Sequence, residues 1–428
     1  MSELAVFGGE KIRKKPFVSH AIIGEEEKKR VNDVLESGVL SGFIAKAGGN
    51  FLGGRQVKEF ESLVRDYFGA KHAVSVNSAT AGLHVALGAL GIGPGDEVIV
   101  TPYTMSASAT AIIMQNAVPV FADIDEDTFC IDPEKIEEAL TPRTKAIVLV
   151  HLFGRPAAMD EITAIAKRHG LFVIEDCAQA PGATYGGKPV GTLGDIGIFS
   201  LNQHKTITSG EGGYIITDSD ELALRMRLIR NHGEAIVEDM ALTSIENIVG
   251  FNYRMTELEA AVSIGQFKKL DFLNDHRIML ADYLSKKLSG LEGLVLPAPN
   301  KKDKDVYFVY PIKIREEICG ISRDDLIKAL QAEGIPVAGG YVKPIYLEPL
   351  YQRKIAYGKG GCPFSCPFYK GEVDYSKGRC PVTERMHEKE LMVTGVCKHP
   401  HIKEDVNDVA NAFEKVFEHK EELRNFKA

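Results

Sequence analysis

Three short stretches of the sequence hold residues able to do chemistry together. In "FSLNQHKTITSGEGG", Phe199 to Gly213, Lys205 stands between an apolar run and a glycine-rich turn. A lysine walled off from water sheds its proton and becomes a nucleophile, whereas a solvated one is a plain charge, the commoner state of any single lysine. Glycine tolerates positive φ, so "TSGEGG" lets the backbone fold tightly, with Glu211 placed to orient the lysine loop. In "FVIEDCAQA", Glu175 and Asp176 close a second apolar run. Adjacent residues of a strand face opposite sides, so only one of these carboxylates enters a given site while the other caps or pairs elsewhere. In "NSATAGLHVAL", small residues open an apolar helix. Its first N–H groups and hydroxyls suit a phosphate, although Asn77 or Ser78 taken alone reads as an ordinary N-cap.

The elements that must position these residues follow from periodicity. Short β-rich runs recur from Ala73 to Thr217: "AVSV", "EVIVT", "PVFAD", "AIVLVH", "FVIEDC", "IGIFSL" and "GYIIT". Helical spacing separates the earlier ones, at Ala79 to Gly91, Thr104 to Gln115, Pro133 to Leu140 and Asp160 to His169. Near-continuous apolar strands alternating with helices predict an α/β fold with a mainly parallel seven-stranded sheet flanked by helices. Only the glycine turn separates the last two runs, so that end of the sheet is expected to depart from the crossover pattern. In open α/β sheets ligands sit outside the carboxyl ends of the strands, where all three stretches lie.

A phosphate cradle, a carboxylate and a lysine match the three handles of pyridoxal 5'-phosphate. The anion anchors that cofactor, the carboxylate keeps its pyridine nitrogen protonated so that the ring accepts electrons, and the lysine holds its aldehyde as an imine. The combination is far more specific than any one part.

At 428 residues with 44% apolar content, the chain is long enough for a large domain and a smaller one. Their expected division is an N-terminal arm and helix over 1–40, the large domain over 41–290 and a C-terminal α+β domain over 291–428. A formal net charge of −8 argues against non-specific attraction to nucleic acid and favours small-molecule partners. "MSELAVFGGEKIRKK" has no apolar core before a cleavage site, and no run of about 18 uncharged apolar residues occurs. A cytoplasmic protein without membrane association is expected, its seven scattered cysteines mostly reduced.

Longer motifs add a resemblance. "FGGEKIR", "NSATAGLHVAL", "GIGPGDEVIVTPYT", "FADIDEDTFCIDPEKIEEAL", "VIEDCAQAPGATYGGKPVGTLGDIGIFSL", "HKTITSGEGG", "RNHG" and "GFNYRMTELEAA" occur in one order along nearly the whole chain. In these the chain resembles the DegT/DnrJ/EryC1/StrS family of sugar and cyclitol aminotransferases, of fold type I. The resemblance implies that Lys205 forms the imine with pyridoxal phosphate, that Asp176 pairs with the ring nitrogen and that Gln179 lies near the phenolic oxygen. It implies phosphate contacts from Ala79, Thr80 and Ser200, and from Asn252 donated to a neighbouring subunit, hence a homodimer with shared sites. Met105 aligns where the family commonly stacks an aromatic residue over the ring.

By the same analogy glutamate or glutamine is the amino donor, and a keto-sugar, nucleotide-linked or free, or a keto-cyclitol is the acceptor. Tyr346 stands where nucleotide-sugar members often carry histidine, and looks more like the branch with cyclitol aminotransferases and aminohydroxybenzoate synthase. Arg254, His232 and Glu211 are weaker substrate candidates; the first two equally suit an interface or a helix cap, and Glu211 the orienting of the lysine loop. Three rival activities remain: an aminohydroxybenzoate-synthase-like reaction, a sugar dehydratase, whose branch replaces the lysine by histidine, and a non-catalytic cofactor-binding regulator. His204 precedes Lys205, but the motif aligns on the lysine.

One segment breaks the periodicity: "YGKGGCPFSCPFYKGEVDYSKGRCPVTE". Cys362, Cys366, Cys380 and Cys397, with His387, His399 and His401, are numerous enough to bind zinc, yet lack the tight paired spacing of a zinc ribbon. The expectation is an ordered, substrate-facing loop with buried thiols and no metal.

Overall fold

The computed structural model describes residues 3–18, 21–242, 245 and 248–425. All seven apolar runs form strands of one sheet: β1 His72–Val76, β2 Glu97–Val100, β3 Val118–Phe121, β4 Thr144–Val150, β5 Phe172–Asp176, β6 Ile196–Ser200 and β7 Gly213–Thr217. Their order across the sheet is β1-β7-β6-β5-β4-β2-β3. Strands β2 through β6 are joined by parallel pairings, and β7 runs antiparallel to both β6 and β1. The reversal sits where the glycine turn replaces a crossover helix.

The strands are Val- and Ile-rich because both faces are covered. Helix α1 (Ala79–Ala89) lies against β6 and is apolar almost all round, with Leu83, Val85, Ala86 and Leu87 all buried. Cross-strand partners Phe199 and Tyr214 stack with ring centroids 4.7 Å apart and planes 6° from parallel. Such a pair is worth about 0.5–1.5 kcal/mol beyond its burial. It clamps β6 to β7 one residue before the lysine loop departs.

The stretch from Thr256 to Leu288 folds as two helices, α2 (Glu257–Phe267) and α3 (Leu270–Leu288). Helix α3 bridges two cores: Leu270 and Leu273 pack beneath the large sheet, while Leu280, Leu284 and Leu288 enter the core of the smaller domain. That domain is a four-stranded antiparallel sheet, β8 (Leu294–Val295), β9 (Tyr310–Ile314), β10 (Val337–Gly339) and β11 (Leu391–Thr394), in the order β8-β9-β11-β10. Helices α4 (Arg323–Ala332) and α5 (Lys403–Glu418) cover it.

Two segments pack away from their sequence neighbours. Leu4 is fully buried in the small-domain core, and Arg13 pairs with Asp405 at 2.8 Å and Asp408 at 2.7 Å, fastening the N-terminal arm to α5. The cysteine-rich segment, expected with the small domain, lies instead against the large sheet. Tyr369 donates to the Glu97 carboxylate at 2.7 Å and Tyr375 to the Pro119 carbonyl at 2.6 Å. Phe364, Tyr369 and Tyr375 join the large-domain core beside edge strand β3, which is thereby covered. Among the described residues no helix is long and apolar enough to cross a membrane.

Candidate active site

The carboxyl ends of β1, β5 and β6 open into one cleft of about 400 Å³, lined by Ser78, Asp176, Ser200 and Lys205 among others. Each of the three stretches singled out for chemistry reaches it.

At the end of β5 the two carboxylates part as strand alternation requires. Asp176 faces the cleft, accepting hydrogen bonds from Ser108 Oγ at 2.8 Å and from the Ala178 N–H at 3.1 Å. Glu175 points to the other side and is fully buried. Its carboxylate accepts from His151 Nε2 at 2.9 Å and from the N–H groups of Gly191, Leu193 and Gly194 at 2.7, 2.7 and 2.6 Å. His151 Nδ1 accepts from the Ala157 N–H at 3.0 Å, which leaves Nε2 as the protonated nitrogen donating to Glu175. Glu175 is therefore a fixed point of the β5–β6 connection, and Asp176 is the carboxylate available to a ligand.

At the end of β1, Ser78 caps α1 by accepting from the Ala81 N–H at 3.0 Å. The N–H groups of Ala79 and Thr80, in the first turn, have no intrahelical acceptor and border the cleft at the positive end of the helix. Strand β7 passes so near that a Cβ on Gly213 would come within 2.7 Å of the Ala79 nitrogen. Only glycine permits that approach, and it brings Ser200, the register partner of Gly213, to the mouth of the same cradle.

The lysine loop leaves β6 and returns through hydrogen bonds from the Leu201 N–H to the Gly212 carbonyl at 2.9 Å and from the Ser209 N–H to the Leu201 carbonyl at 3.0 Å. Gly210 and Gly212 adopt φ of 90° and 144° to make this turn. Lys205 Nζ lies 4.8 Å from the centroid of the Phe308 ring. Burial pushes its pKa below the ordinary lysine value, and nearby Asp176 opposes the shift without cancelling it. Glu211 also lines the cleft, accepting from Asn202 Nδ2 at 3.0 Å.

Gln179 is buried at the cleft wall. Its Oε1 accepts from the Phe153 N–H at 2.9 Å and its Nε2 donates to the Tyr341 hydroxyl at 3.1 Å. Phe153 holds φ at 59°, an uncommon backbone state for a bulky residue, and packs its ring edge-on to Tyr341. Burial raises the Tyr341 pKa to about 12, so its hydroxyl stays protonated. Met105 lines the opening and is 62% exposed, an unpacked thioether at the position aligned with an aromatic.

Four expected residues lie outside the cleft lining. Tyr346 is a correction: it is fully buried, its hydroxyl donates to the Glu384 carboxylate, and its ring packs near Phe121. It therefore supports the fold from within the core. Asn252 accepts from Arg254 Nε at 2.7 Å and bridges to Asn231. His232 holds φ at 52° at the adjoining turn, with Glu234 3.9 Å away. The four cysteines do not come together as one group: Cys362 neighbours Cys366, but Cys380 is buried in the large-domain core and Cys397 in the small-domain core. Among the described residues the only group of at least three clustered as metal ligands is His151, Glu175 and Cys177, where the Glu175 nest already occupies the carboxylate and the imidazole.

Sequence reasoning missed His151, Tyr341 and Phe308. His151 was open to discovery, because it follows an apolar run by the same rule that singled out Asp176. Tyr341 and Phe308 come from the second domain, and no local pattern marks them.

Comparison with known proteins gives these features a context. The model of the DegT/DnrJ/EryC1/StrS aminotransferase family matches residues 21–373. The chain is 43% identical over 299 residues to GDP-perosamine synthase of Caulobacter vibrioides, covering 70% of this chain and 79% of that protein. It is 39% identical over 355 residues to a putative L-glutamine:3-amino-2,3-dideoxy-scyllo-inosose aminotransferase of Streptoalloteichus tenebrarius, covering 82% and 83% of the two chains. Among solved structures, that of DesI in the presence of its TDP-sugar product superposes with a TM-score of 0.80 at 29% identity, covering 98% of each chain.

Proposed function

We propose that this chain, which belongs to the DegT/DnrJ/EryC1/StrS aminotransferase family and uses its cofactor, pyridoxal phosphate, transfers an amino group from glutamate or glutamine to a nucleotide-linked keto-sugar. The observation that carries the reading is the meeting of Lys205 and Asp176 in one cleft, with a helix N-terminus beside them. The donor set fits the cofactor: a half-buried amine for its aldehyde, an anchored carboxylate for its ring nitrogen, and free N–H groups with a serine hydroxyl for its phosphate. Gly213 leaves the cradle the room that a Cβ would fill.

When bound, pyridoxal phosphate supplies an electron sink for the bond broken at the donor's Cα. The chain's own residues do the rest. Asp176, held by Ser108 and the Ala178 N–H, is fixed in place to keep a proton on the ring nitrogen. Lys205 is the base: burial favours its neutral amine, which takes the donor's Cα proton and later returns one to the acceptor's new C–N carbon. Gln179 and Tyr341 close the wall on the phenolic side, and Phe308 screens Lys205 from water. Asn252, outside its own cleft, is assigned to the phosphate of a second copy, which makes the working unit a homodimer with shared sites.

Two similar proteins are named for nucleotide-sugars, the synthase by its GDP-sugar and DesI by its TDP-sugar product, and this favours such an acceptor. Tyr346, which pointed toward cyclitols by its residue type, is in the core and does not bear on the choice. The test is to incubate the cofactor-loaded protein with glutamate or glutamine and a panel of nucleotide-linked keto-sugars and keto-cyclitols, identifying products by mass spectrometry. An amino-sugar nucleotide is the expected product; amination of a keto-cyclitol alone would overturn the assignment.

A further inference from the structure

A second cavity, of about 260 Å³, adjoins the cleft and shares His204 and Lys205 with it. Its walls carry Arg277 from α3, Lys398 and His399 from the segment after β11, and Thr206 from the lysine loop. Arg277 is 6% exposed, and its Nη1 donates to the carbonyls of Tyr307 and Phe308, both at 3.1 Å. The guanidinium is thus held rigidly beside the phenylalanine that screens Lys205. Thr206 is 9% exposed, and its hydroxyl has no hydrogen-bond partner among the described residues.

Several buried or half-buried cations elsewhere are paired with carboxylates: Arg230 has Glu61 at 2.6 Å, Lys313 has Asp127 at 2.8 Å and Lys415 has Glu333 at 3.0 Å. Among the described residues neither Arg277 nor Lys398 has one, and no carboxylate lines the cavity. Burial and the neighbouring Arg277 both push the Lys398 pKa down, the mark of two like charges confined without a counter-ion. An anion entering the cavity would offset the repulsion and make charge-assisted hydrogen bonds to both.

Size selects the anion. Sites for drug-sized ligands run from about 300 to 1,000 Å³, so this cavity is too small for a nucleoside diphosphate with its sugar but suits a short amino acid. Its opening at Lys205 places such a molecule beside the base that must reach its Cα. We propose that this cavity binds a carboxylate of the amino donor, with Lys398 and Arg277 as the cationic pair and Thr206 as hydroxyl donor, an inference that rests on the amino-transfer reading above.

The test uses glutarate, which keeps two carboxylates but has no amine to react. Calorimetric titration of the cofactor-loaded protein should show binding, weakened about tenfold or more by Lys398→Met and largely restored in Lys398→Arg. Steady-state KM for the donor should rise in parallel while that for the keto substrate stays constant. A rise for glutamate alone assigns the side-chain carboxylate, and a rise for glutamine as well assigns the α-carboxylate. Glutarate affinity unchanged in a folded Lys398→Met protein, or a KM change confined to the keto substrate, would overturn the proposal. The titration needs no turnover. Failure to aminate any nucleotide-linked keto-sugar therefore defeats the substrate reading without touching this one, and absence of glutarate binding to the parent protein with amination intact does the reverse.

Discussion

Glu175→Gln and Asp176→Asn change neighbouring residues by the same chemistry, a carboxylate to its amide, and should have opposite consequences. The Glu175 carboxylate accepts four hydrogen bonds, two on each oxygen, from His151 and three backbone N–H groups. An amide offers one oxygen and one NH2 group, so in either orientation two buried donors face another donor. His151 gives no relief by changing tautomer, because its Nδ1 must accept from Ala157. A buried donor left unpaired costs about 1–3 kcal/mol, so Glu175→Gln should lose roughly 2–6 kcal/mol of stability. Asp176 accepts only two bonds, one from a serine hydroxyl that can rotate to accept instead. Asp176→Asn should therefore cost about 1 kcal/mol or less in folding, while amino transfer falls about 10²–10³-fold with the loss of a charge that acts on the reaction. Urea titration followed by circular dichroism, beside a turnover assay, separates the two. If Glu175→Gln unfolds at the same urea concentration as the parent, or Asp176→Asn is the less stable of the pair, the division into a structural and a chemical carboxylate is wrong.

Three further outcomes follow from the same geometry. Lys205→Ala should abolish both turnover and the visible absorbance of the cofactor-loaded protein; full multiple-turnover activity would remove the lysine from the mechanism. Tyr346→Phe should cost about 1.5–3 kcal/mol in urea unfolding by depriving Glu384 of a buried partner, with KM for the keto substrate unchanged; a raised KM at unchanged stability would return Tyr346 to the site. Asp305 lies 3.6 Å from Arg155, yet burial outweighs that neighbour and lifts its pKa from 3.8 to about 6. The folded state then binds the proton more tightly than the unfolded state, so the stability it contributes is complete below pH ~4 and lost as pH rises through about 6, some 3 kcal/mol for two pKa units. Asp305→Asn should accordingly gain on the parent between pH 4.5 and pH 8 in urea midpoints; parallel curves would refute the shift.

What could be read from the sequence follows from the range of the forces involved. Each of the seven strands is a local apolar run closed by a polar or small residue, and each was placed within one or two residues of its observed ends. The reversal of β7 was legible because a turn that short leaves no room for a crossover helix. The residues at strand ends, Asp176 and Lys205, inherited that accuracy. Tyr346 did not, since its side chain direction depends on where the segment from 345 to 380 packs, and that is set by Glu97 and Pro119 far away in the chain.

The division between legible and hidden parts of the site also separates its tasks. Residues that act on the cofactor stand at or just beyond the ends of β1, β5 and β6, where a single sheet holds them and the apolar run before each reveals them. The groups proposed to select the donor come instead from α3, from the turn after β11 and from the lysine loop, and they meet only because α3 spans both cores. Lys398 carries no sequence signal, since a lysine in "CKHPHIKED" reads as surface charge. Its meaning comes from standing half-buried beside Arg277 without an acid. A design of this kind lets donor preference change through the small domain while the strand-end chemistry stays fixed. It follows that substitutions at Lys398 should alter which amino acid is used well before they alter whether amino transfer occurs.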